Sequence, residues 1–154
     1  MLKEGDALPD VSLTGADGAP IRLADCRGKP IVVYFYPKAD TPGCTVEAKD
    51  FTDLIGDFTA LGIPVIAVSK DNVAKLCRFA DKHGLGVTLA SDGDGSACEA
   101  FGTWVEKSLY GRKYMGIARA TFLADGDGRI VKVWPQVKVK GHAADVLEAA
   151  RALG

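Results

Sequence analysis

Continuous apolar segments and a helical repeat alternate in the first half of the chain. Residues 31–36 and 63–68 are runs of β-branched, aromatic and other apolar residues, the pattern of strands covered on both faces. Between them, apolar residues recur at the spacing of one helix face: Phe51, Leu54, Ile55 and Phe58. This strand–helix–strand order predicts a βαβ unit with two parallel strands.

Shorter apolar segments surround glycine-containing turns and predict hairpins. Residues 11–13 and 21–23 flank one such turn, which predicts an N-terminal β-hairpin. Residues 119–124 and 129–134 flank an Asp-Gly-Asp-Gly turn, which predicts a second antiparallel hairpin. A further short strand is predicted at residues 87–89.

The other periodic segments predict helices. One is expected to begin at an Asp71 cap and to stop at Gly84, with Cys77 on its apolar face. Two more helices are predicted, at residues 96–101 and 143–153. The segment between Trp104 and Tyr110 is expected to be a loop.

These elements together predict an α/β fold. Strands that alternate with helices and close on an antiparallel hairpin favour a mixed central sheet flanked by helices, and a thioredoxin-like layout is the most economical arrangement. The chain has 154 residues, a length that fits a single domain over residues 1–154.

Composition narrows the class of protein. The chain has 47% hydrophobic and 25% charged residues and a net charge of −1, so extended disorder is excluded and binding to nucleic acid or a membrane surface is disfavoured. No apolar run approaches the roughly 20 residues that span a bilayer, and residues 1–10 lack the features of a secretory signal. We therefore expect a cytoplasmic protein.

Four cysteines are present, at positions 26, 44, 77 and 98, and none forms a Cys-x-x-Cys pair. Their spacing disfavours a metal site, and a chain of this size does not need disulfides to fold. In a reducing compartment each is by default a small buried hydrophobic residue. A reactive role for any one cysteine therefore needs separate support from the residues around it.

Cys44 has that argument in its surroundings. It follows the end of the buried strand at residues 31–36, where open α/β sheets place their sites. Thr41 is a suitable helix N-cap and Pro42 suits the first helical position. Cys44 would then lie in the first turn, where unpaired N–H groups and the helix dipole favour a thiolate over a thiol. We expect a nucleophilic sulfur.

Glu47 is predicted to lie on the same inward face, because the apolar stripe continues backward from Phe51 through Ala48 and Glu47 to Cys44. An inward carboxylate needs a partner, so Glu47 is a candidate to hold a basic residue in place. The alternative is a first-turn acid that is favoured only by the helix dipole.

The segment at residues 36–47, Tyr-Pro-Lys-Ala-Asp-Thr-Pro-Gly-Cys-Thr-Val-Glu, resembles the active-site motif of peroxiredoxins, in particular the bacterioferritin-comigratory-protein (PrxQ) subfamily. The resemblance continues at residues 68–71, 90–94, 110–123 and 137–142. It implies a peroxiredoxin fold and a thiol peroxidase that reduces hydrogen peroxide and small organic hydroperoxides. It implies no metal, haem, flavin or nicotinamide, since the electrons pass through sulfur.

The resemblance also implies roles for individual residues. Cys44 would be the peroxidatic cysteine, and the Thr41 hydroxyl would bind the peroxide. Pro37 and Pro42 would screen the sulfur from water. Arg119 would point its guanidinium at both sulfur and peroxide, a task for which its permanent charge and fixed fork are suited; without the resemblance it is an ordinary surface charge.

One position departs from the subfamily. Many members carry a second cysteine five residues after the first, where this chain has Lys49. The sulfenic acid on Cys44 then needs another thiol. Cys77 is the leading candidate, since some relatives have a resolving cysteine in this helix about one turn later. Cys98, which is expected to be core packing, and Cys26 stay open, as does the absence of any internal partner.

By resemblance, thioredoxin is the expected reductant and the protein is expected to be a monomer. Two alternatives remain. One is a one-cysteine peroxidase that an external thiol such as glutathione or glutaredoxin reduces. The other is a redox sensor or holdase in which oxidised Cys44 reports to a partner without turnover.

Overall fold

A computed structural model describes residues 1–153 as a seven-stranded sheet with helices on both faces and a separate two-stranded ribbon. The strands are β1 (Ser12–Gly15), β2 (Pro20–Arg22), β3 (Ile31–Phe35), β4 (Val65–Ser69), β5 (Thr88–Ser91), β6 (Trp104–Leu109), β7 (Arg112–Ile117), β8 (Ala120–Ala124) and β9 (Ile130–Trp134). The helices are α1 (Pro42–Asp53), α2 (Ile55–Ala60), α3 (Val73–His83), α4 (Ser96–Phe101) and α5 (His142–Arg151).

The main sheet has the strand order β2-β1-β5-β4-β3-β8-β9. Strands β3, β4 and β5 are parallel, and the remaining pairs are antiparallel. The predicted mixed sheet, its βαβ unit and the N-terminal hairpin of β1 and β2 are confirmed. The second predicted hairpin is also confirmed, as β8 and β9.

The sheet separates two hydrophobic cores. Along β3 the side chains alternate, so that Val32 and Tyr34 face one core while Val33 and Phe35 face the other. Helices α1, α2, α3 and α5 cover the first face, and α4 covers the second with the N-terminal segment. Because all four residues are fully buried, β3 has the uniformly apolar sequence of a central parallel strand.

Two helix predictions need correction. The helix that was expected to continue from Phe51 is interrupted at Leu54, near Ile55 and Gly56, whose β-branched and glycine types lower helix propensity. The cap of α3 is Asn72, whose side-chain oxygen accepts the Lys75 amide at 2.8 Å. The Asp71 carboxylate instead accepts a hydrogen bond from the backbone N–H of Ala39, which lies in the loop that precedes α1.

The predicted position of Cys77 on the apolar face of α3 was also wrong. Leu76 and Phe79 are its buried residues, and Cys77 is exposed. Ala80 is partly buried against the same core, so the core-facing side of α3 passes through Leu76, Phe79 and Ala80 and leaves Cys77 outside it.

The predicted loop after α4 was wrong as well. Residues 104–117 form the β6–β7 hairpin, with a two-residue turn at Tyr110 and Gly111, which both have positive φ. Such a turn matches the twist of two antiparallel strands. The strands were missed because their middle is polar, at Glu106 and Lys107, and carries no buried alternation.

Candidate active site

The end of β3 and the start of β8 bring the predicted site residues to one edge of the sheet. Phe35 pairs with Ala120 in antiparallel register, so Arg119 lies beside the point where the chain leaves β3. The five residues that follow Tyr36, residues 37–41, connect β3 to α1; we call them the active-site loop. The strand register therefore aligns Arg119 with the beginning of α1.

Cys44 lies in the first turn of α1, as predicted. Thr41 is the N-cap residue, Pro42 opens the helix and the Cys44 side chain is buried. The first N–H groups of a helix have no intrahelical partner and carry partial positive charge, which favours an anion at this position. The Thr41 hydroxyl does not cap the helix; it donates to the Lys38 carbonyl at 2.8 Å.

Arg119 connects Cys44 with Glu47. Its Nη1 donates to Glu47 Oε1 at 2.8 Å, and its Nη2 donates to Cys44 Sγ at 3.4 Å. Glu47 faces inward and is only 1% exposed, as the apolar stripe predicted. One fixed fork thus meets a carboxylate with one arm and the sulfur with the other, which stabilises negative charge on the sulfur.

The buried carboxyl group of Glu47 has an unusually high pKa. Burial raises the pKa of Glu47 from 4.5 to about 7, although the charge and hydrogen bond of Arg119 act in the opposite direction. Its second oxygen, Oε2, is buried and has no hydrogen-bond partner within residues 1–153. The cost of that bare oxygen explains why the proton is held to a higher pH.

Gly43 is a site residue that the sequence reasoning missed. A Cβ atom at this position would lie 3.2 Å from Arg119 Nη2, which is closer than ordinary contact. The absence of a side chain therefore allows the guanidinium to approach the sulfur of the next residue. A glycine inside the first turn of a helix, where it lowers stability, was the available signal.

Two cavities meet near the active-site loop. One of about 440 Å³ is lined by Pro37, Trp104 and Lys107, and the other, of about 670 Å³, is lined by Arg119 and Lys107. Lys107 was not predicted because it lies on the missed hairpin. Burial and the nearby charge of Arg119 lower the pKa of its ammonium group. Pro37 is half-buried at this opening, as a residue that limits water would be.

The other cysteines differ in their position relative to Cys44. All four cysteines lie within the described residues and are free thiols. Cys98 is buried in the opposite core, where burial and Asp92 raise its pKa to about 12. Cys26 is half-buried against that same core. Cys77 alone is exposed, on a helix that packs over the same face as Cys44.

Comparison with known proteins assigns the family. The model of the AhpC/TSA family matches residues 5–133. Peroxiredoxin Bcp of Bacillus subtilis is 45% identical over 147 residues, which cover 96% of this chain and 94% of that protein. Peroxiredoxin Bcp of Escherichia coli K12 is 46% identical over 146 residues, 95% and 94% of the two chains. The chain belongs to the AhpC/TSA family.

Solved structures agree with this peroxiredoxin assignment. A mutant of Xanthomonas campestris peroxiredoxin Q superimposes with a TM-score of 0.92 at 39% identity, covering 99% of this chain and 100% of that one. The bacterioferritin comigratory protein of the same organism, whose trapped intermediate/ligand complexes concern alkyl peroxide reduction, gives 0.89 at 41% identity over 96% and 98%. The fold is therefore the peroxiredoxin form of the thioredoxin fold, and the protein is a peroxidase.

The helices of this peroxiredoxin were compared with the requirements of a membrane-spanning segment. Among residues 1–153, no helix combines the length and the apolar character that crossing a lipid bilayer requires.

Proposed function

We propose that this peroxiredoxin reduces hydrogen peroxide and small organic hydroperoxides at Cys44, and that an intramolecular disulfide with Cys77 and then thioredoxin regenerate the thiol. The observation that carries the proposal is the position of the Arg119 guanidinium. Its Nη1 is hydrogen-bonded to Glu47, and its Nη2 donates to Cys44 Sγ at 3.4 Å. The alkyl peroxide reduction of the Xanthomonas campestris relative supports organic hydroperoxides as substrates.

The first step is a displacement on oxygen. The Cys44 thiolate attacks the terminal oxygen of ROOH, an S–O bond forms and the O–O bond breaks. The RO⁻ group leaves and takes a proton to become an alcohol, or water when R is hydrogen. Arg119 would stabilise the charge that moves onto the leaving oxygen. The Thr41 hydroxyl, whose proton is donated to the Lys38 carbonyl, would bind the hydroperoxide by accepting a hydrogen bond from its O–H group. Pro37 and Pro42 would limit the access of water.

The second step is resolution by Cys77. The Cys77 sulfur attacks the sulfenic acid of Cys44, the S–S bond forms, the S–O bond breaks and water leaves. Cys77 is favoured because α3 and α1 pack on the same face of the sheet, whereas Cys98 and Cys26 pack on the opposite face. A disulfide requires Cα atoms within about 7 Å. Because Cys44 is buried and Cys77 is exposed, we propose that Cys44 leaves its pocket by local opening of α1 to meet this requirement.

The last step is exchange with a dithiol reductant. An exposed Cys77 offers its sulfur to an external thiolate, which attacks the disulfide and releases Cys44. We propose that thioredoxin fills this role and that the protein acts as a single-domain monomer. A cycle of this kind needs a reducing compartment, which makes the cytoplasm part of the same proposal.

The experiment is a peroxide-consumption assay with thioredoxin, its reductase and NADPH. We expect Cys44→Ser to abolish turnover, because it removes the thiol that lies beside the Arg119 guanidinium. We expect Cys77→Ser to lose thioredoxin-dependent turnover while one equivalent of peroxide still oxidises Cys44. Cys98→Ser is the matched control and should retain turnover, since its thiol faces the opposite core.

Each other outcome selects a different function. Sustained turnover of Cys77→Ser with glutathione and glutaredoxin would identify a one-cysteine peroxidase. Oxidation of the wild type by a single equivalent, without turnover by either system, would identify a redox sensor or holdase. Peptide mass spectrometry of the oxidised protein adds a direct check, because a bridge from Cys44 to Cys98 would contradict the assignment of Cys77.

A further inference from the structure

Asp40 occupies a special position in the active-site loop. It immediately precedes Thr41, and its φ of 62° lies in the left-handed region that residues other than glycine rarely adopt. Each of its carboxylate oxygens has a hydrogen-bonding partner on α3. Oδ2 lies 2.9 Å from Lys82 Nζ, and Oδ1 lies 2.8 Å from His83 Nε2. We call this trio the Asp40 latch.

The α3 end of the latch is anchored in the protein core. Lys82 and His83 form the last turn of the helix, which Gly84 ends in a left-handed conformation. The His83 ring packs edge-on against Phe79 with centroids 5.6 Å apart, and Phe79 packs against Tyr36 at 6.3 Å. The carboxylate of Asp40 is thus bound to side chains whose helix is packed on the core. This contact restrains the position of Asp40 and, through the backbone, the active-site loop.

A second carboxylate holds the preceding residue. Asp71 Oδ2 accepts the backbone amide of Ala39 at 2.7 Å and the Ser69 hydroxyl at 2.8 Å. Two adjacent loop residues, Ala39 and Asp40, are therefore tied to the segment that contains α3. The first of these contacts lies in a half-buried position, while the side chains of Lys82 and Asp40 are 63% and 39% exposed. The latch is the more easily opened of the two.

We infer that Asp40 is a positioning residue of this peroxiredoxin: the Asp40 latch holds the active-site loop and the first turn of α1 closed, and its release sets how fast oxidised Cys44 can reach Cys77. The residue touches neither sulfur nor substrate and acts through Thr41 and the helix start that follows it. The disulfide part of the inference rests on the proposed function, whereas the closing of the loop does not.

The latch matters because the sulfenic acid of Cys44 has two competing fates. In the open loop, Cys77 attacks it, and water leaves as the disulfide forms. In the closed loop, a second hydroperoxide is attacked by the sulfenate, its O–O bond breaks and a sulfinic acid forms, with an alcohol or water as the other product. A tighter latch favours the second fate at high peroxide concentration, and a weaker latch favours the first.

The test variant is Asp40→Asn, because asparagine tolerates a positive φ, removes the charge and replaces one of the two accepting oxygens by an NH2 group that cannot accept a hydrogen bond. In a Cys77→Ser background, we expect alkylation of reduced Cys44 by iodoacetamide to be about threefold to tenfold faster, the size expected from a partly exposed ion pair with Lys82 and a hydrogen bond with His83. With Cys77 present, disulfide formation should accelerate by a similar factor. The peroxide concentration that inactivates half of the enzyme during turnover should rise accordingly.

Two controls separate positioning from a general loss of structure. The double variant Lys82→Gln/His83→Gln should reproduce the effect from the other side of the latch. Glu148→Gln, which removes an ion pair with Arg151 on α5, should leave alkylation and inactivation unchanged. A variant that had merely lost its fold would lower the first oxidation rate and the resistance to inactivation together, rather than raise the resistance.

The outcomes distinguish the inference from the proposed function. Unchanged alkylation of Cys44 in Asp40→Asn, or inactivation at a lower peroxide concentration, would overturn the latch even if Cys77 is the resolving cysteine. Faster alkylation in a protein that forms no bridge to Cys77 would support the latch and reject that resolving cysteine. An effect of Asp40→Asn that the Lys82→Gln/His83→Gln variant lacks would overturn the ion-pair explanation.

Discussion

A single guanidinium serves two acidic groups in this site. Arg119 donates to Glu47 with Nη1 and to Cys44 with Nη2, at 2.8 and 3.4 Å. A lysine ammonium is a point charge on a flexible stem and would not hold both geometries at once. The position of the charge next to the sulfur is therefore determined by Glu47, which makes the protonation state of that carboxyl part of the site.

The raised pKa of Glu47 has a consequence for stability. Between its ordinary pKa of 4.5 and about 7, the folded protein holds a proton on Glu47 that the unfolded chain has released. Stability from this group is complete below 4.5 and is lost as the pH rises through 7. Relative to Glu47→Gln, the wild type should lose at most about 1.4 kcal/mol of unfolding free energy per pH unit in that interval.

Urea unfolding of the reduced proteins between pH 4.5 and 8 measures this difference. Glu148→Gln is the matched control, because that carboxylate is exposed and paired with Arg151, and its difference from wild type should be flat. A wild type and Glu47→Gln pair with a constant difference over the whole range would show that Glu47 is ionised throughout, as a fully compensated ion pair would be.

At the scale of elements, the start of α1 lies so close to the Arg119 side chain, just before β8, that a Cβ atom at position 43 would be 3.2 Å from Arg119 Nη2. The helix gives up stability there, since glycine is a poor helix former, and gains a close approach of Arg119 to the sulfur. Stability and activity should therefore respond in opposite directions to the smallest possible change at this position.

Gly43→Ala is the corresponding variant. We expect the unfolding free energy to rise by about 0.5–1 kcal/mol, the usual difference between alanine and glycine in a helix. We expect the rate of Cys44 oxidation to fall by roughly twofold to tenfold, because the new Cβ displaces Arg119 Nη2 by a few tenths of an ångström. Chemical denaturation and stopped-flow oxidation by hydrogen peroxide measure the two effects.

Gly56→Ala in α2 provides the comparison, because a Cβ at that position meets nothing within 4 Å. It should gain stability without a change of rate. If Gly43→Ala behaved in the same way as Gly56→Ala, the close contact with the guanidinium would have no role in the chemistry.

The elements that hydrophobic spacing could predict are those that bury a complete pattern. Strand β3 is buried along its whole length and was predicted to within one residue, whereas the β6–β7 hairpin is largely exposed and was missed. The exposed face of Cys77 was mispredicted for a related reason, since periodicity gives a helix face only to within about one residue. The spacing of apolar residues along the sequence therefore predicts which segments are buried, but it does not predict exposed strands such as β6 and β7.

From the residue pattern without the family resemblance, the site was predictable only in its local part. The first turn with Thr41, Pro42 and Cys44 follows from neighbouring residues and helix-capping rules. The contact between Arg119 and Glu47 joins residues 72 positions apart, and the Asp40 latch joins residues 43 positions apart. Strand register and helix packing create such contacts, and no local spacing encodes them.

At the scale of the whole molecule, the central sheet assigns the chemistry to one face. Cys44, α1, α3 and α5 share that face, and α5 closes it with a buried histidine at its first residue. The His142 ring lies between Phe51 and Trp134, and its Nε2 is 2.7 Å from the Thr121 hydroxyl. Burial lowers the pKa of His142 from 6.5 to about 4.

His142 and Glu47 should therefore oppose one another in the pH dependence of the entire fold. Between about pH 4.5 and 6.5 the unfolded chain binds a proton at His142 that the folded protein refuses, so the contribution of His142 is present above 6.5 and is lost as the pH falls through 4. Glu47 contributes in the opposite direction over this interval.

We expect His142→Gln, which retains a polar group for Thr121, to become more stable relative to the wild type as the pH falls, and Glu47→Gln to become less stable. The double variant should follow the wild-type slope, as measured by urea unfolding at fixed ionic strength. Parallel curves for the wild type and His142→Gln would mean that the buried ring accepts its proton as readily as a free histidine, and the packing of α5 over the site would then have to open in mild acid.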